Sequence, residues 1–276
     1  MRFEKWQAAG NAYLVMEADG TPEPMPAAAV RRICHRDLGA GSDGILEILP
    51  SAAAHARVRI YNPDGGLAEF SGNGSRIAVG YLARRDRLSE LAIETEKGTI
   101  AGAVDGGMVT VDVGAARLDG ADHRPGAGDP PAAAYTFVNL GNPHCVIRLE
   151  RVDALEALER VDALDLAAVG PPIEHHPWFP NRANVEFYAP LGSNDIRMRV
   201  WERGAGETLS SGSGSSAAAV AAVTAGDVAS PVTVHADGGL LVVEIDEALN
   251  VRLTGPVEPV LRGEFDPAFT ASLGEA

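Results

Sequence analysis

The sequence predicts an α+β protein made of two similar domains, each a sheet wrapped around one buried helix. Three observations carry that reading. The stretches Ser71-Gly72-Asn73-Gly74-Ser75 and Ser211-Gly212-Ser213-Gly214-Ser215 share a Ser-Gly-x-Gly-Ser core, far apart in the chain. Each opens an apolar run, Ile77 to Ala83 and Ala217 to Val223. The second run is apolar all round and the first nearly so, the pattern of a helix buried on every side. Short β-type segments surround both.

The elements follow in order. Residues 2 to 16 carry β-type segments broken at Ala9-Gly10-Asn11. Ala27 to Leu38 reads as a helix, with Val30, Ile33, Cys34 and Leu38 on one face and Gly39 as its stop. Ile45 to Leu49 and Arg57 to Tyr61 read as strands, the second alternating between arginines and aliphatics. Asn62-Pro63-Asp64-Gly65-Gly66 is a turn. The first glycine-rich loop leads into a helix from Asn73 to Arg84, followed by strands at Leu91 to Glu94, Thr99 to Val104 and Met108 to Val113. Residues 119 to 134 gather Pro and Gly with almost no large apolar residue, which makes them the best linker candidate. The expected domains are 1–115 and 116–276, with the last strand free to return to the first. Beyond the linker, Tyr135 to Leu140 reads as a strand and Val152 to Ala168 as an amphipathic helix ended by Gly170-Pro171-Pro172. Strands at Val185 to Tyr188 and Ile196 to Trp201 precede the second helix, which runs to about Ala225. Strands at Val232 to His235, Leu240 to Ile245 and Asn250 to Leu253 close the chain.

Composition narrows the function. The 276 residues are 46% hydrophobic and 22% charged, with a formal net charge of −15. That field argues against a nucleic-acid or anionic-membrane partner, while a local cradle can still hold an anionic substrate. No apolar run reaches a membrane-spanning length of about 18 residues. The first residues lack a hydrophobic signal core, so a cytoplasmic protein is expected. Cys34 and Cys145 lack metal-ligand spacing and read as buried free thiols. No zinc motif, phosphate-binding Lys or dinucleotide fingerprint appears, so neither metal nor cofactor is expected. A homodimer is the assembly left open.

In each loop, glycines allow close backbone approach, and first-turn amides point at whatever sits there. Two such cradles suggest one negatively charged substrate held from two sides by Gly72, Asn73, Gly212 and Ser213. Asn11, Asn62, Asn142 and Asn184 sit in Gly- or Pro-marked loops. Taken singly, each reads as a turn residue. Together with Glu202 and Arg203 they form a candidate ring for an amino acid, Arg forking onto a carboxylate and Glu taking an ammonium group. His144 is the histidine that lies inside a motif, Gly141-Asn142-Pro143-His144, and is an auxiliary candidate.

On Gly10-Asn11, Asn62-Pro63-Asp64-Gly65, Ser71 to Arg76, Gly141 to His144, Asn184-Val185-Glu186-Phe187 and Glu202 to Leu209, the chain resembles the diaminopimelate epimerase family over essentially its whole length. The resemblance implies two pseudo-symmetric, mostly antiparallel domains and catalysis without pyridoxal phosphate. One cysteine thiolate removes the substrate α-proton and a second thiol delivers a proton to the opposite face. Those two positions map onto Ser71 and Ser211, which are expected to face each other. Ile77 and Ser216 replace further cysteines common beside them, and Ala12 stands where the family's N-terminal motif has Asp.

A serine hydroxyl is a far weaker acid than a thiol and serves as a base only with a partner. Three readings follow: an epimerase of diaminopimelate slowed by its serines; a relative isomerising or dehydrating another small amino or hydroxy acid; or a non-catalytic amino-acid-binding protein.

Overall fold

A computed structural model of the chain describes residues 1–18, 23–126, 128–132, 134–149 and 159–274. The chain divides into two compact units, Met1–Val111 with Pro256–Ala276, and Asp112–Gly255.

The first unit opens with an antiparallel hairpin of β1 (Arg2–Ala8) and β2 (Asn11–Glu17). Its two-residue turn puts both Ala9 (φ 50) and Gly10 (φ 82) at positive φ, as a primed hairpin turn requires. Helix α1 (Ala27–Cys34) then crosses to β3 (Ile45–Leu49), which lies parallel to β2. β4 (Ala56–Tyr61) is antiparallel to β3 and to the short β5 (Leu67–Ala68). Helix α2 (Gly72–Asp86) follows, buried from Gly72 to Ala83. β6 (Glu90–Thr95) is parallel to β4, and hairpins add β7 (Gly98–Asp105) and β8 (Met108–Ala115).

The second unit repeats this pairing pattern strand for strand. β9 (Tyr135–Asn139) is antiparallel to β10 (Pro143–Arg148), and β10 is parallel to β11 (Asn184–Pro190). β12 (Asp195–Glu202) is antiparallel to β11 and to β13 (Gly206–Thr208), and parallel to β14 (Val232–Ala236). β15 (Gly239–Ile245) and β16 (Asn250–Pro256) complete the antiparallel meander. The crossover between β10 and β11 holds helix α3 (Leu166–Glu174). Helix α4 (Gly212–Thr224), buried from Gly212 to Ala222, takes the place that α2 has in the first unit. Each unit is thus a mostly antiparallel sheet around one central helix, the α+β class that the patterning predicts. The apolar composition of both helices has its reason here, since strands touch them on every side.

The differences from the sequence reading have local causes. α1 stops at Cys34, short of Leu38, because the His35 ring accepts the Asp37 and Leu38 amides (3.1 Å each) and turns the chain. Leu38 is consequently exposed rather than on the buried face. Of the helix expected at 152–168, residues 150–158 lie outside the described part. Residues 159–162 are helical, and a new helix starts at Leu166 with Asp165 as its cap. That helix runs through Pro171 and Pro172 instead of ending there, held at its end by the buried carboxylate of Glu174. His144 is the second residue of β10, a strand the sequence reading did not expect.

The C-terminal segment was not separated by the periodicity. β17 (Glu258–Glu264) pairs antiparallel with β1, from Arg2↔Glu264 to Gln7↔Glu258, and helix α5 (Pro267–Ser272) follows. The second unit ends at Gly255, and β17 belongs with the first unit. Residues 119–134 fall within that unit, where Arg117 bridges Asn139 and the His123 ring meets the Tyr135 hydroxyl at 2.9 Å. Cys34 and Cys145 are free and buried. Among the described residues no helix is long and apolar enough to cross a membrane.

Candidate functional site

The paired serines cap the paired helices. Ser71 has extended backbone (φ −140) and its Oγ accepts the Gly74 amide at 3.0 Å; Ser211 (φ −130) accepts the Gly214 amide at 3.2 Å. Each side chain is held at a helix N-terminus, where the first-turn amides and the helix dipole favour negative charge. The glycine at the third helical position is set by space and not by φ. A Cβ on Gly74 would lie 3.1 Å from Ser71 Oγ, and one on Gly214 2.9 Å from Glu186 Oε1 and 3.2 Å from Ser211 Oγ.

The two hydroxyls have different neighbours. Ser71 Oγ lies 3.1 Å from the Tyr13 hydroxyl on β2. Near Ser211, the Glu202 carboxylate accepts the Thr208 hydroxyl at 2.5 Å, and the Ser211 hydroxyl acts on its ionisation. Loss of solvent pushes the Glu202 carboxyl above the ordinary glutamate range, against the lowering effect of those two hydroxyls, while nearby Glu186 raises it further. Sequence reasoning named Glu202 but assigned it to an ammonium group. Its link to Ser211 was missed, because the serine lies on a helix N-terminus and the glutamate at the end of β12.

A second polar chain lies behind Ser213. His144 and Glu186 are fully buried, with Nδ1 2.7 Å from Glu186 Oε1 and Nε2 2.9 Å from Asn142 Oδ1. The Asn142 amide reaches Ser213 Oγ at 3.3 Å. Both imidazole nitrogens are engaged, and neither bonds to Ser211. Burial pushes the Glu186 carboxyl up, opposed by His144. One proton between Nδ1 and Oε1 therefore keeps the buried pair neutral overall. The first unit makes the matching link: Asn73, at the position in α2 that Ser213 has in α4, donates to Asn11 Oδ1 at 3.4 Å. Asn11 itself donates to Asp43 at 3.0 Å.

The remaining ring residues separate by role. Asn184 is buried, its amide donating to the Pro143 carbonyl (3.1 Å) and its oxygen accepting the Arg203 backbone amide (2.9 Å). It fixes the start of β10 and the turn after β12. Arg203 is half-buried and donates to the Asn181 carbonyl at 3.0 Å. Asn62 is exposed on its turn, which Gly66 closes by accepting the Asn62 amide at 2.8 Å. In topological terms Asn62 and Arg203 are equivalent, following β4 and β12.

Two residues that carry much of the frame had no signal of their own. Glu174, 3% exposed, accepts Trp201 Nε1 (2.8 Å), the Gly204 amide (3.1 Å) and Arg182 (3.1 Å), and so pins the Glu202-Arg203 turn. Arg76 is fully buried beneath the first cradle and donates to Asn73 Oδ1 at 2.5 Å. Among the described residues no group of His, Cys, Asp and Glu is arranged to hold a metal ion.

The diaminopimelate epimerase family model matches residues 3–118 and 136–260. The chain belongs to the diaminopimelate epimerase family. The residues between the two matched parts of this diaminopimelate epimerase-family chain are the Pro- and Gly-rich stretch. It is 40% identical to a diaminopimelate epimerase of Moorella thermoacetica over 96% of this chain and 99% of that one. It is 39% identical to that of Pelotomaculum thermopropionicum, with the same coverage. Among solved structures the fold matches a hydroxyproline epimerase from Agrobacterium vitis with bound trans-4-hydroxy-L-proline (TM-score 0.68, 17% identity, 97% of this chain and 94% of that chain). It also matches a probable proline racemase from Agrobacterium radiobacter (TM-score 0.69, 16% identity, 97% and 95%).

Proposed function

We propose that this chain is a cofactor-independent amino-acid epimerase acting on diaminopimelate, with hydroxyls in place of thiols at both proton-transfer positions and a correspondingly slow inversion. The observation that carries the reading is the matched pair of serine-capped, buried helix N-termini, Ser71 on α2 and Ser211 on α4. A serine hydroxyl needs a partner to act as a base. Glu202 supplies a carboxylate whose proton affinity is raised toward the working range. In this reading Glu202 takes the α-proton by way of Ser211, which passes its own hydroxyl proton to the carboxylate, and Ser71, beside the Tyr13 hydroxyl, is the proton donor.

The two helix N-termini serve the substrate α-carboxylate, whose negative charge grows as the α-proton leaves. Asn11, Asn62, Asn142 and Arg203 are assigned to the remaining amino-acid groups, Asn184 to holding Arg203, and Gly72, Asn73, Gly212 and Ser213 to the carboxylate. The 39–40% identity to diaminopimelate epimerases over 96% of the chain supports diaminopimelate over other α-amino acids.

Incubation with LL-diaminopimelate in heavy water, followed by NMR, tests the proposal. The expected result is saturable binding and slow α-hydrogen exchange that Glu202→Gln abolishes. Ser71→Cys with Ser211→Cys should speed exchange. No binding and no exchange, in either the native chain or the double-cysteine variant, refutes the diaminopimelate assignment.

A further inference from the structure

Arg76 is an unusual group for a protein interior. Its side chain is fully buried on α2, one turn in from Ser71. Nη2 donates to Asn73 Oδ1 at 2.5 Å and Nη1 to the Pro256 carbonyl at 3.1 Å, while Nε has no partner among the described residues. Both acceptors are neutral. Among the described residues the guanidinium has neutral acceptors and no charged partner. Burial pulls its ionisation down to about 9, still well above neutral, so the charge is present at working pH. An unpaired buried charge is costly. The helix dipole makes matters worse, because the α2 N-terminus is already positive.

The placement explains why such a charge is kept. Arg76 fixes the Asn73 amide with its oxygen inward and its N–H₂ toward Asn11 Oδ1. A charged donor on the oxygen polarises the amide and strengthens its N–H groups as donors. The guanidinium, the Asn73 amide and the helix N-terminus thus all present positive potential at one cradle.

We propose that Arg76 is a positioning residue of the first cradle, its buried charge balanced by a carboxylate group of the substrate and conveyed through Asn73. This rests on the reading of the cradle as a carboxylate site. It adds that the ligand supplies a counter-charge which the ligand-free protein lacks.

The test pairs two variants. Arg76→Gln keeps a donor and removes the charge. Asn73→Asp places a carboxylate against the guanidinium, an internal substitute for the ligand's. Ligand-free thermal unfolding is measured for both, for the double variant and for the native chain, and meso-diaminopimelate binding is measured by calorimetry for the native chain and Arg76→Gln. The expected results are an Arg76→Gln melting temperature no lower than native and a roughly tenfold or greater loss of affinity for meso-diaminopimelate. Asn73→Asp should raise the ligand-free melting temperature with Arg76 present and lose that gain in the Arg76→Gln background, which separates the charge pair from the helix dipole.

The inference is overturned if Arg76→Gln unfolds several degrees lower, fails to fold, or binds as tightly as native, or if Asn73→Asp has the same effect in both backgrounds. A fall in the Asn73→Asp melting temperature overturns it as well, since the guanidinium was then already balanced. If the native chain does not bind meso-diaminopimelate, the substrate assignment fails while the ligand-free comparison still decides the role of Arg76.

Discussion

The glycine at the third position of α4 is worth perturbing, because two opposed effects there can be weighed. Gly214→Ala adds helix propensity worth about 1 kcal/mol. Against this, the new methyl would lie 2.9 Å from Glu186 Oε1, 3.1 Å from Ser211 Cβ and 3.2 Å from Ser211 Oγ. Glu186 is fully buried and tied to His144, so it has little room to withdraw. Overpacking of this kind costs about 1–3 kcal/mol, and moving Ser211 off its cap costs about 1 more. The net expectation is a loss of about 2 kcal/mol, or roughly 4–8 °C in melting temperature. Gly74→Ala is the internal control. Its methyl would meet Ser71 and, at 3.2 Å, a Leu46 methyl at the end of a side chain that can rotate. The propensity gain should nearly cancel the crowding there, leaving a change under about 1 kcal/mol. Urea unfolding followed by circular dichroism measures both. A Gly214→Ala variant as stable as native, or no less stable than Gly74→Ala, would refute the claim that the buried carboxylate sets this position.

Three further outcomes follow. Glu174→Ala leaves the Trp201, Gly204 and Arg182 donors without their acceptor and should cost about 3 kcal/mol, while raising the KM for the amino acid more than it lowers kcat; unchanged KM would separate Glu174 from the Arg203 turn. The Glu202 carboxyl is raised, so α-hydrogen exchange that depends on its ionised form should fall as pH drops through a value above the ordinary ~4.3; a profile flat down to that ordinary value would exclude Glu202 as the base. Tyr61 donates to Glu47 at 2.7 Å, and burial together with that bond pushes its ionisation up to about 12. The unfolded chain therefore releases this proton first, and stability should fall between about pH 10 and 12; Tyr61→Phe should lessen that fall in an alkaline melting series.

The readable parts of this sequence are those where one local pattern decides the structure. The two serine caps announce themselves because Ser, then Gly, then an apolar run is what an N-cap over a buried helix requires. The repeated strand pattern around α2 and α4 is visible for the same reason. Contacts between distant segments are not readable in this way. Glu202 meeting Ser211, and Glu186 meeting His144, depend on pairings between β10, β11 and β12 that periodicity leaves open. The end of α1 was missed because a single imidazole, His35, out-competed the helix for two amides. The run through Pro171 and Pro172 was missed because tertiary contacts at Glu174 override the local cost of proline. β17 was missed because its exposed Val260 and Leu261 lack the alternation of a half-buried strand.

The pairing of β17 with β1 has a consequence for biosynthesis. The partner of β1 is encoded about 250 codons downstream of it. At about 5–20 residues per second, roughly 13–50 seconds separate the two on the ribosome. Through that interval the β1 edge waits without its final neighbour, an open template for wrong pairing. The segment Asp112–Gly255 is continuous and meets no such delay. The part made first is therefore the part completed last, and truncation of the final strand should harm the amino-terminal half while sparing the middle of the chain.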